Sequence, residues 1–226
     1  MFRNHLKIAF RSILKNKVFS AINIIGLSIG LSAAFVIGAI VYYDTTFDNF
    51  HPDGDRIYRI TTAFTNPEGN FYNSGVAVPL ARALVDLNMS ELETVAPFLT
   101  TYPLHVENQK LDLSFKNPEF VIYANDDYFK TLNYTWLAGS QDGALSNPNT
   151  VVLSESRAAA YFPSQKFDEV LGKTLIYNDT IPALVTGVVA NFKDRTDLVF
   201  EEFISLKNAD LQDMTSAVTD GHWNNT

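Results

Sequence analysis

A run of uncharged residues near the N-terminus constrains this chain more than any other feature. The 26 residues from Val18 to Tyr43 contain no charged side chain, and 19 of them are apolar. As a helix, this run reaches about 39 Å, which exceeds the bilayer hydrocarbon core of about 30 Å. A buried core helix rarely needs so long an uncharged run, and a signal peptide has a shorter apolar region of roughly 7–15 residues. The run therefore predicts a transmembrane helix over residues 18–43.

The charges on either side of this run differ in sign. Residues 1–43 carry five basic residues and no acidic one. The other 183 residues carry the remaining 12 basic and all 25 acidic residues, which gives them a net charge of -13 within a total of -8. The positive-inside rule then places residues 1–17 in the cytoplasm and residues 44–226 in the periplasm, on the outer side of the bacterial inner membrane. The acidic outer region argues against nucleic acid as a partner.

The first 17 residues show the pattern of a surface-bound helix. Their basic side chains recur every four residues, and apolar side chains occupy most of the remaining surface. Such a helix lies along the cytoplasmic face of the membrane before the chain enters the bilayer. The alternative interpretation is a frayed basic leader with accidental spacing. The basic residues of this segment are Arg3, Lys7, Arg11, Lys15 and Lys17.

Small residues form a stripe along the predicted span. Gly26, Gly30, Ala34 and Gly38 are spaced by four and begin with a GxxxG pattern. Stripes of this kind let the backbones of neighbouring membrane helices approach closely. The alternative is that glycine is simply common in membrane helices. If the stripe packs, its partner helices come from a second copy, another subunit or a further part of the polypeptide.

The outer region has enough apolar residues for a core of its own and shows an irregular order of elements. Short helical and strand patterns alternate between Gly/Pro/Asn turn clusters, which favours an α+β fold over a regular βαβ series. Helices are predicted over Pro79–Leu87, over Asp126–Leu132, and from Ser154 to Phe162 before Pro163. The predicted strands are Arg56–Phe64, Ala96–Val106, Phe120–Ala124, Thr150–Leu153, Leu171–Tyr177 and Ala183–Ala190, with Phe200–Leu206 left uncertain.

Motifs for catalysis, metal or cofactor binding are missing from the sequence. There is no cysteine, and the four histidines, His5, His51, His105 and His222, have no partner at the helical spacing of a metal site. Gly172-Lys173-Thr174 lacks the upstream glycine of a phosphate-binding loop and is interpreted as a turn into a strand. We expect no catalytic, metal or cofactor-binding residue.

Acidic residues and one histidine follow the predicted span. Their spacing matches no calcium loop, so a cation site is the less favoured interpretation. We expect a polar, membrane-proximal loop with Phe47, Phe50, Ile57 and Tyr58 packed beneath it. The polar residues are Asp44, Asp48, His51, Asp53 and Asp55.

Several segments, taken in order, resemble one family of membrane proteins. Residues 11–31, with Ile22-Asn23-Ile24-Ile25-Gly26-Leu27-Ser28-Ile29-Gly30 at their centre, resemble the basic elbow and first span of MacB/FtsX-type ABC transporter permeases. The resemblance continues through most of the chain. Its further segments are Phe47-Asp48-Asn49-Phe50-His51, Asp55-Arg56-Ile57-Tyr58-Arg59-Ile60, Asn125-Asp126-Asp127-Tyr128-Phe129, Val151-Val152-Leu153-Ser154-Glu155-Ser156, Tyr161-Phe162, Gly172-Lys173-Thr174-Leu175 and Val185-Thr186-Gly187-Val188-Val189.

The resemblance implies a non-catalytic permease subunit in a dimeric complex with a separate cytoplasmic ABC ATPase. Residues 1–17 would be the elbow helix, 18–43 the first span and 44–226 an incomplete periplasmic core domain, so the chain is expected to be the N-terminal part of a longer permease. ATP hydrolysis would move the outer domain to export a substrate or to relay force to a periplasmic partner. The alternatives are an extracytoplasmic sensor domain of a signalling receptor and a membrane-anchored periplasmic enzyme.

Overall fold

The computed structural model describes residues 2–67 and 69–209, so the last part of the predicted outer domain, residues 210–226, lies outside the described residues. The chain divides into two units, residues 1–49 and residues 50–226. The first unit is helical, and the second contains the sheets.

The first unit consists of two helices. Helix α1 spans Phe2–Lys15 and helix α2 spans Lys17–Thr45. Asn16 separates them with φ -110° and ψ 57°, which interrupts the helical dihedral angles for one residue. Among the described residues, α2 is the one helix that is long and apolar enough to cross a membrane. This arrangement confirms the predicted amphipathic helix followed by one long apolar helix.

The second unit contains eleven strands and four α-helices among its described residues. The strands are β1 (Thr62–Asn66), β2 (Gly69–Asn73), β3 (Phe98–Thr101), β4 (His105–Asn108), β5 (Leu113–Lys116), β6 (Val121–Ala124), β7 (Trp136–Ala138), β8 (Thr150–Ser154), β9 (Thr174–Tyr177), β10 (Ile181–Val189) and β11 (Glu202–Ser205). The helices are α3 (Leu80–Asp86), α4 (Asp126–Leu132), α5 (Glu155–Tyr161) and α6 (Phe167–Val170).

Strands β3 to β11 form one mixed sheet. Its order is β3-β6-β11-β8-β10-β9-β4-β5, and β7 pairs additionally with β10. The β8–β10 and β6–β11 pairs are parallel and the other pairs are antiparallel. Strands β1 and β2 form a separate antiparallel hairpin. The mixture of pairings and short helices confirms the predicted α+β class.

The core lies on both faces of this sheet, as the central strand β8 shows. Val151 and Leu153 pack into a cluster that also contains side chains of α5, whereas Val152 packs into a second cluster with side chains of α4. All five residues of β8 are buried. Because successive side chains of a strand point to opposite faces, an unbroken apolar run is what a strand covered on both sides requires.

The ends of two helices follow from their local sequence. The Ser154 hydroxyl accepts a hydrogen bond from the Arg157 N–H at 3.2 Å, which caps the first turn of α5 as predicted. Helix α4 has Asp126 and Asp127 in its first turn and ends at Leu132, which is followed by Asn133 in the left-handed conformation with a φ of 48°. Both helices lie where the sequence predicted them.

Two strand predictions were wrong in extent. The predicted strand Arg56–Phe64 is regular only from Thr62, because residues 57–61 have no pairing partner. The predicted strand Ala96–Val106 is two strands, β3 and β4, which lie in different parts of the sheet. Pro103 lies between them, and proline has no N–H to donate to a ladder.

Other elements were missed or shifted by the sequence interpretation. Strands β2, β5 and β7 and helix α6 were not predicted, and β11 lies in the segment left uncertain. The predicted strand Leu171–Tyr177 begins at Thr174, after a turn in which Gly172 has a φ of +75°. That turn confirms the interpretation of Gly172-Lys173-Thr174 as the entry to a strand.

Candidate functional site

The small-residue stripe of α2 faces open space. A Cβ atom added at Gly26, Gly30 or Gly38 would have no other atom within 4 Å, and Ala34 is exposed. No helix of the described residues covers this stripe. The surface therefore has the shape that a close helix–helix contact requires, with room for a partner.

The rest of α2 also suits an apolar surrounding. None of its residues is buried, and large apolar side chains such as Leu27 and Phe35 are 73% and 77% exposed. Two of its hydroxyl groups have acceptors within the helix: Ser28 Oγ donates to the Ile24 carbonyl at 2.7 Å, and Thr45 Oγ1 donates to the Val41 carbonyl at 2.8 Å. In lipid, polar groups need such internal partners because no water is available to them.

The basic residues of the N-terminal segment lie on α1 and at the start of α2. Lys7, Arg11, Lys15 and Lys17 are exposed, while the side chain of Arg3 lies outside the described part of the chain. Apolar side chains of α1 are exposed as well, among them Ile8 and Phe10. A helix that exposes both kinds of side chain is suited to the boundary between water and lipid.

The polar loop after α2 does not form a cation site among the described residues. Its acidic residues bring no three potential ligand atoms together. His51 is buried and contacts the rings of Phe50 and Phe192, at centroid distances of 4.2 and 5.7 Å. The expected packing of Tyr58 beneath the loop was wrong, because this side chain is 83% exposed.

A buried acid lies at the centre of the sheet domain. Glu202 on β11 is fully buried, and each of its carboxylate oxygens accepts a hydrogen bond from a tyrosine hydroxyl, from Tyr161 at 2.5 Å and from Tyr177 at 2.7 Å. Arg157 Nε lies 3.2 Å from Glu202 Oε1 and 2.8 Å from Glu201 Oε2. Helix α5, strand β9 and strand β11 are thus joined by one polar group inside an apolar core.

Further hydrogen bonds extend this polar centre to neighbouring elements. The Arg157 guanidinium donates to the Glu119 carbonyl at 2.8 Å, before β6. The buried Asn108 side chain on β4 donates to the Tyr161 carbonyl at 2.8 Å, at the end of α5. Buried polar groups that are paired in this way specify one arrangement of the surrounding elements, because any other arrangement would leave them without partners.

Burial controls the protonation of this centre. Loss of hydration raises the pKa of Glu202 above its ordinary value, against the opposing effects of the two tyrosine hydrogen bonds and the Arg157 charge. Burial, followed by the charge of Glu202, also raises the pKa of the Tyr161 and Tyr177 hydroxyls. Both tyrosines therefore remain neutral donors at physiological pH, which is the form that the carboxylate needs.

A surface cavity of about 440 Å³ lies beside α4. Asp126 on its wall accepts hydrogen bonds from the Leu145 N–H at 2.7 Å and from the Ser146 hydroxyl at 2.5 Å. The Lys207 amine donates to the Ser146 carbonyl. The hydrogen bonds from Leu145 and Ser146 engage both carboxylate oxygens of Asp126 and hold α4 against the loop before β8. Asp126 therefore has a structural role at this cavity.

The comparisons with known proteins identify the family. A sequence profile described as the MacB-like periplasmic core domain matches residues 20–221. The chain belongs to the MacB-like periplasmic core domain family. This membership and the long apolar helix α2 together indicate a membrane protein with an extracytoplasmic domain. No curated protein is a significant match to the sequence.

Three solved structures can be compared with this chain. A domain of a protein described as a permease, from Porphyromonas gingivalis, has a TM-score of 0.58 and 19% identity, covering 74% of this chain and 70% of that one. The periplasmic region of MacB from Actinobacillus actinomycetemcomitans has a TM-score of 0.43 and 20% identity. The match covers 72% of this chain and 63% of that one. The extracellular domain of the ABC-type transporter YknZ from Gram-positive bacteria has a TM-score of 0.39 and 13% identity. The match covers 70% of this chain and 67% of that one. Of these three structures, the one from Porphyromonas gingivalis has a TM-score above 0.5 and supports a shared fold.

The sequence interpretation missed the polar centre around Glu202. The segment that contains this residue was left uncertain, since Glu201 and Glu202 interrupt an otherwise apolar strand pattern. The one available signal for a buried polar group was this pair of acidic residues between Phe200 and Phe203. An acidic side chain in such a strand must face either solvent or a buried partner. Its partners, Tyr161 and Tyr177, are 41 and 25 residues away in the sequence and are adjacent only in the fold.

Proposed function

We propose that this chain supplies the elbow helix, the first span and the periplasmic core of an ABC transporter permease. A separate cytoplasmic ATPase would hydrolyse ATP, and the resulting movement of the spans would move the outer domain. That movement would export a substrate or transmit force to a periplasmic partner. The observation that carries the proposal is that α2, a long apolar helix without a buried residue, lies in a chain that matches the MacB-like family over residues 20–221.

In this proposal the chain has three parts with separate roles. Residues 1–17 are the elbow, residues 18–43 are the membrane span, and residues 44–226 belong to the periplasmic core. The elbow lies on the cytoplasmic surface, where Lys7, Arg11 and Lys15 contact anionic lipid headgroups and the apolar side chains enter the acyl boundary. None of these parts has a catalytic role, so the chemistry resides on the ATPase chain.

The proposed orientation can be measured directly because the chain has no cysteine. Asn4→Cys and Ser140→Cys each introduce one exposed thiol, on α1 and on the loop after β7 respectively. In intact spheroplasts we expect a membrane-impermeant thiol reagent to label Ser140→Cys and to leave Asn4→Cys unlabelled until the membrane is opened. The positive-inside rule is the physical reason. The reverse labelling pattern would contradict a cytoplasmic N-terminus.

The function itself is tested by co-purification from the native membrane. We expect the tagged full chain, extracted in a mild detergent, to recover an ABC ATPase and a second permease subunit that mass spectrometry identifies. Recovery of a histidine kinase in their place would support the sensor alternative and overturn the proposal. Repeated recovery of the chain without any ATPase would also count against it.

The stripe on α2 provides a matched pair of variants for the same experiment. Gly30→Ile adds bulk on the stripe, whereas Ser32→Ile adds bulk on a different face of the helix, about 200° away. We expect Gly30→Ile to reduce recovery of the partner permease severalfold, because the backbones can no longer approach closely. Ser32→Ile should retain the wild-type recovery. Equal recovery with both variants would show that the stripe has no packing role.

A further inference from the structure

We propose a binding site for one divalent transition-metal cation of the zinc type, formed by His105, Glu107 and Asp179 on the sheet domain. One imidazole nitrogen and one oxygen from each carboxylate lie within 4.8 Å of one another. His105 Nε2 lies 2.8 Å from Asp179 Oδ1. The sequence interpretation considered histidines only at helical spacing and therefore expected no metal ligand here.

Strand β4 places two of the ligands on one face. His105 and Glu107 are two residues apart and therefore point the same way, while Val106 and Asn108 point into the core and are almost completely buried. Strand β4 is hydrogen-bonded to β5 on one side and to β9 on the other. The two side chains consequently project from a backbone that is held on both sides.

The turn between β9 and β10 places the third ligand. Asn178 and Asp179 have φ values of 49° and 61°, and the Thr180 N–H donates to the Tyr177 carbonyl at 3.1 Å. Two left-handed residues closed by such a hydrogen bond form a type I′ turn. Asn and Asp tolerate this conformation better than other residues with a side chain, so the local sequence fits the geometry.

Hydrogen bonds tie this turn to the start of β4. The Asn178 side-chain oxygen accepts from the Leu104 N–H at 2.7 Å, and the Asn178 N–H donates to the His105 carbonyl at 3.1 Å. Asp179 is therefore held beside His105 although the two residues are 74 positions apart in the sequence. The fold holds the backbone of all three ligands in place before any cation binds, which reduces the entropic cost of binding.

The ligand set selects the class of cation. Imidazole nitrogen suits zinc, nickel and copper, whereas magnesium and calcium prefer all-oxygen sites. Ligand atoms bound tetrahedrally at about 2.0–2.1 Å from zinc are roughly 3.3 Å apart, a separation that small side-chain rotations reach from the present distances. Metal ligands bind in their deprotonated forms, so one imidazole and two carboxylates contribute a charge of about -2. This charge balances a divalent cation, and the fourth position is left to water.

The test is a titration of the metal-stripped full chain, purified in detergent without a histidine tag. We expect isothermal titration calorimetry to give one saturable zinc site per chain, with no comparable heat from magnesium. His105→Ala and Asp179→Asn should each weaken zinc binding by at least about tenfold. Asp179→Asn is the more informative variant, because asparagine preserves the left-handed turn and removes only the charge.

Control variants and a second measurement distinguish zinc binding at this cluster from binding at other histidines and carboxylates. His5→Ala and Asp142→Asn remove an exposed histidine and an exposed carboxylate outside the cluster and should bind zinc like the wild type. Zinc should also raise the melting temperature of the wild type and leave that of His105→Ala unchanged. Absence of saturable zinc binding, or equal affinity in the wild type and both cluster variants, would overturn the proposal.

Discussion

We expect Glu202→Ala to destabilise the sheet domain by about 3–5 kcal/mol, the range found when one partner of a buried polar or charged pair is removed. The substitution leaves the buried hydroxyls of Tyr161 and Tyr177 without their acceptor, and it leaves Arg157 with Glu201 alone. Urea unfolding of the full chain in detergent, followed by fluorescence, measures the change. Trp136 on β7 reports the unfolding of the sheet domain.

Glu201 offers a matched control for this experiment. It is the neighbour of Glu202, carries the same charge and contacts the same arginine, but its side chain is 31% exposed. Because water partly screens an ion pair that it can reach, Glu201→Ala should have a smaller effect than Glu202→Ala. Similar losses for the two variants would contradict the structural role assigned to Glu202.

The pH dependence of stability provides an independent check on Glu202. Its pKa is raised in the folded protein, so below about 4.5, the ordinary value, the acid is protonated in both the folded and the unfolded states. As the pH rises through the folded pKa, the native state must bury a charge and loses the stability that the protonated acid contributed. Glu202→Gln stays neutral, so its stability relative to the wild type should rise as the pH increases above about 4.5, the ordinary pKa of the acid. A constant difference above that pH would contradict the raised pKa.

The second large effect is expected for Gly139→Ala, at about 2–5 kcal/mol. Gly139 follows β7 with a φ of +78°, and a Cβ atom there would lie 2.4 Å from the Thr186 carbonyl oxygen on β10. The left-handed conformation costs an alanine about 1–2 kcal/mol, and displacing the adjacent backbone costs about 1–3 kcal/mol more. The pairing of β7 with β10 should weaken, and thermal unfolding of the full chain measures the loss.

Gly143→Ala separates these two contributions. Gly143 has a similar φ of +81°, but its nearest neighbour would be the Ser146 hydroxyl oxygen at 4.0 Å, an ordinary contact. This variant should lose only the conformational part, about 1–2 kcal/mol. If the two alanine variants were equally stable, the close approach of Gly139 to β10 would have no energetic importance.

Both sites bear on the proposed function because they hold the sheet domain together. Glu202 joins α5, β9 and β11, and Gly139 permits β7 to lie against β10. A domain that moves with membrane spans must keep its shape under load in order to transmit a displacement. Under the proposed function, variants at these sites are therefore expected to impair transport through the stability of the domain, and to leave ATP hydrolysis by the partner ATPase unchanged.

Local sequence determined the features that depend on neighbours along the chain. The uncharged run from Val18 to Tyr43 needs no distant contact to be helical and apolar, and α2 contains all of it. Helix α5 is capped by the Ser154 hydroxyl, and helix α4 has acidic residues in its first turn, where the helix dipole favours negative charge. Both helices lie where they were predicted. In each case the stabilising partners lie within a few residues of one another.

The tertiary structure decided what depends on partners distant in the sequence. Strand β5 becomes a strand by pairing with β4, and the single pattern over residues 96–106 becomes two strands that pair at separate places in the sheet. Glu202 is buried because Tyr161 and Tyr177 satisfy it, and His105 meets Asp179 through a turn 74 residues away. The periodicity of a sequence does not predict such pairings, because they depend on strand register and strand order. Only the folded chain establishes these.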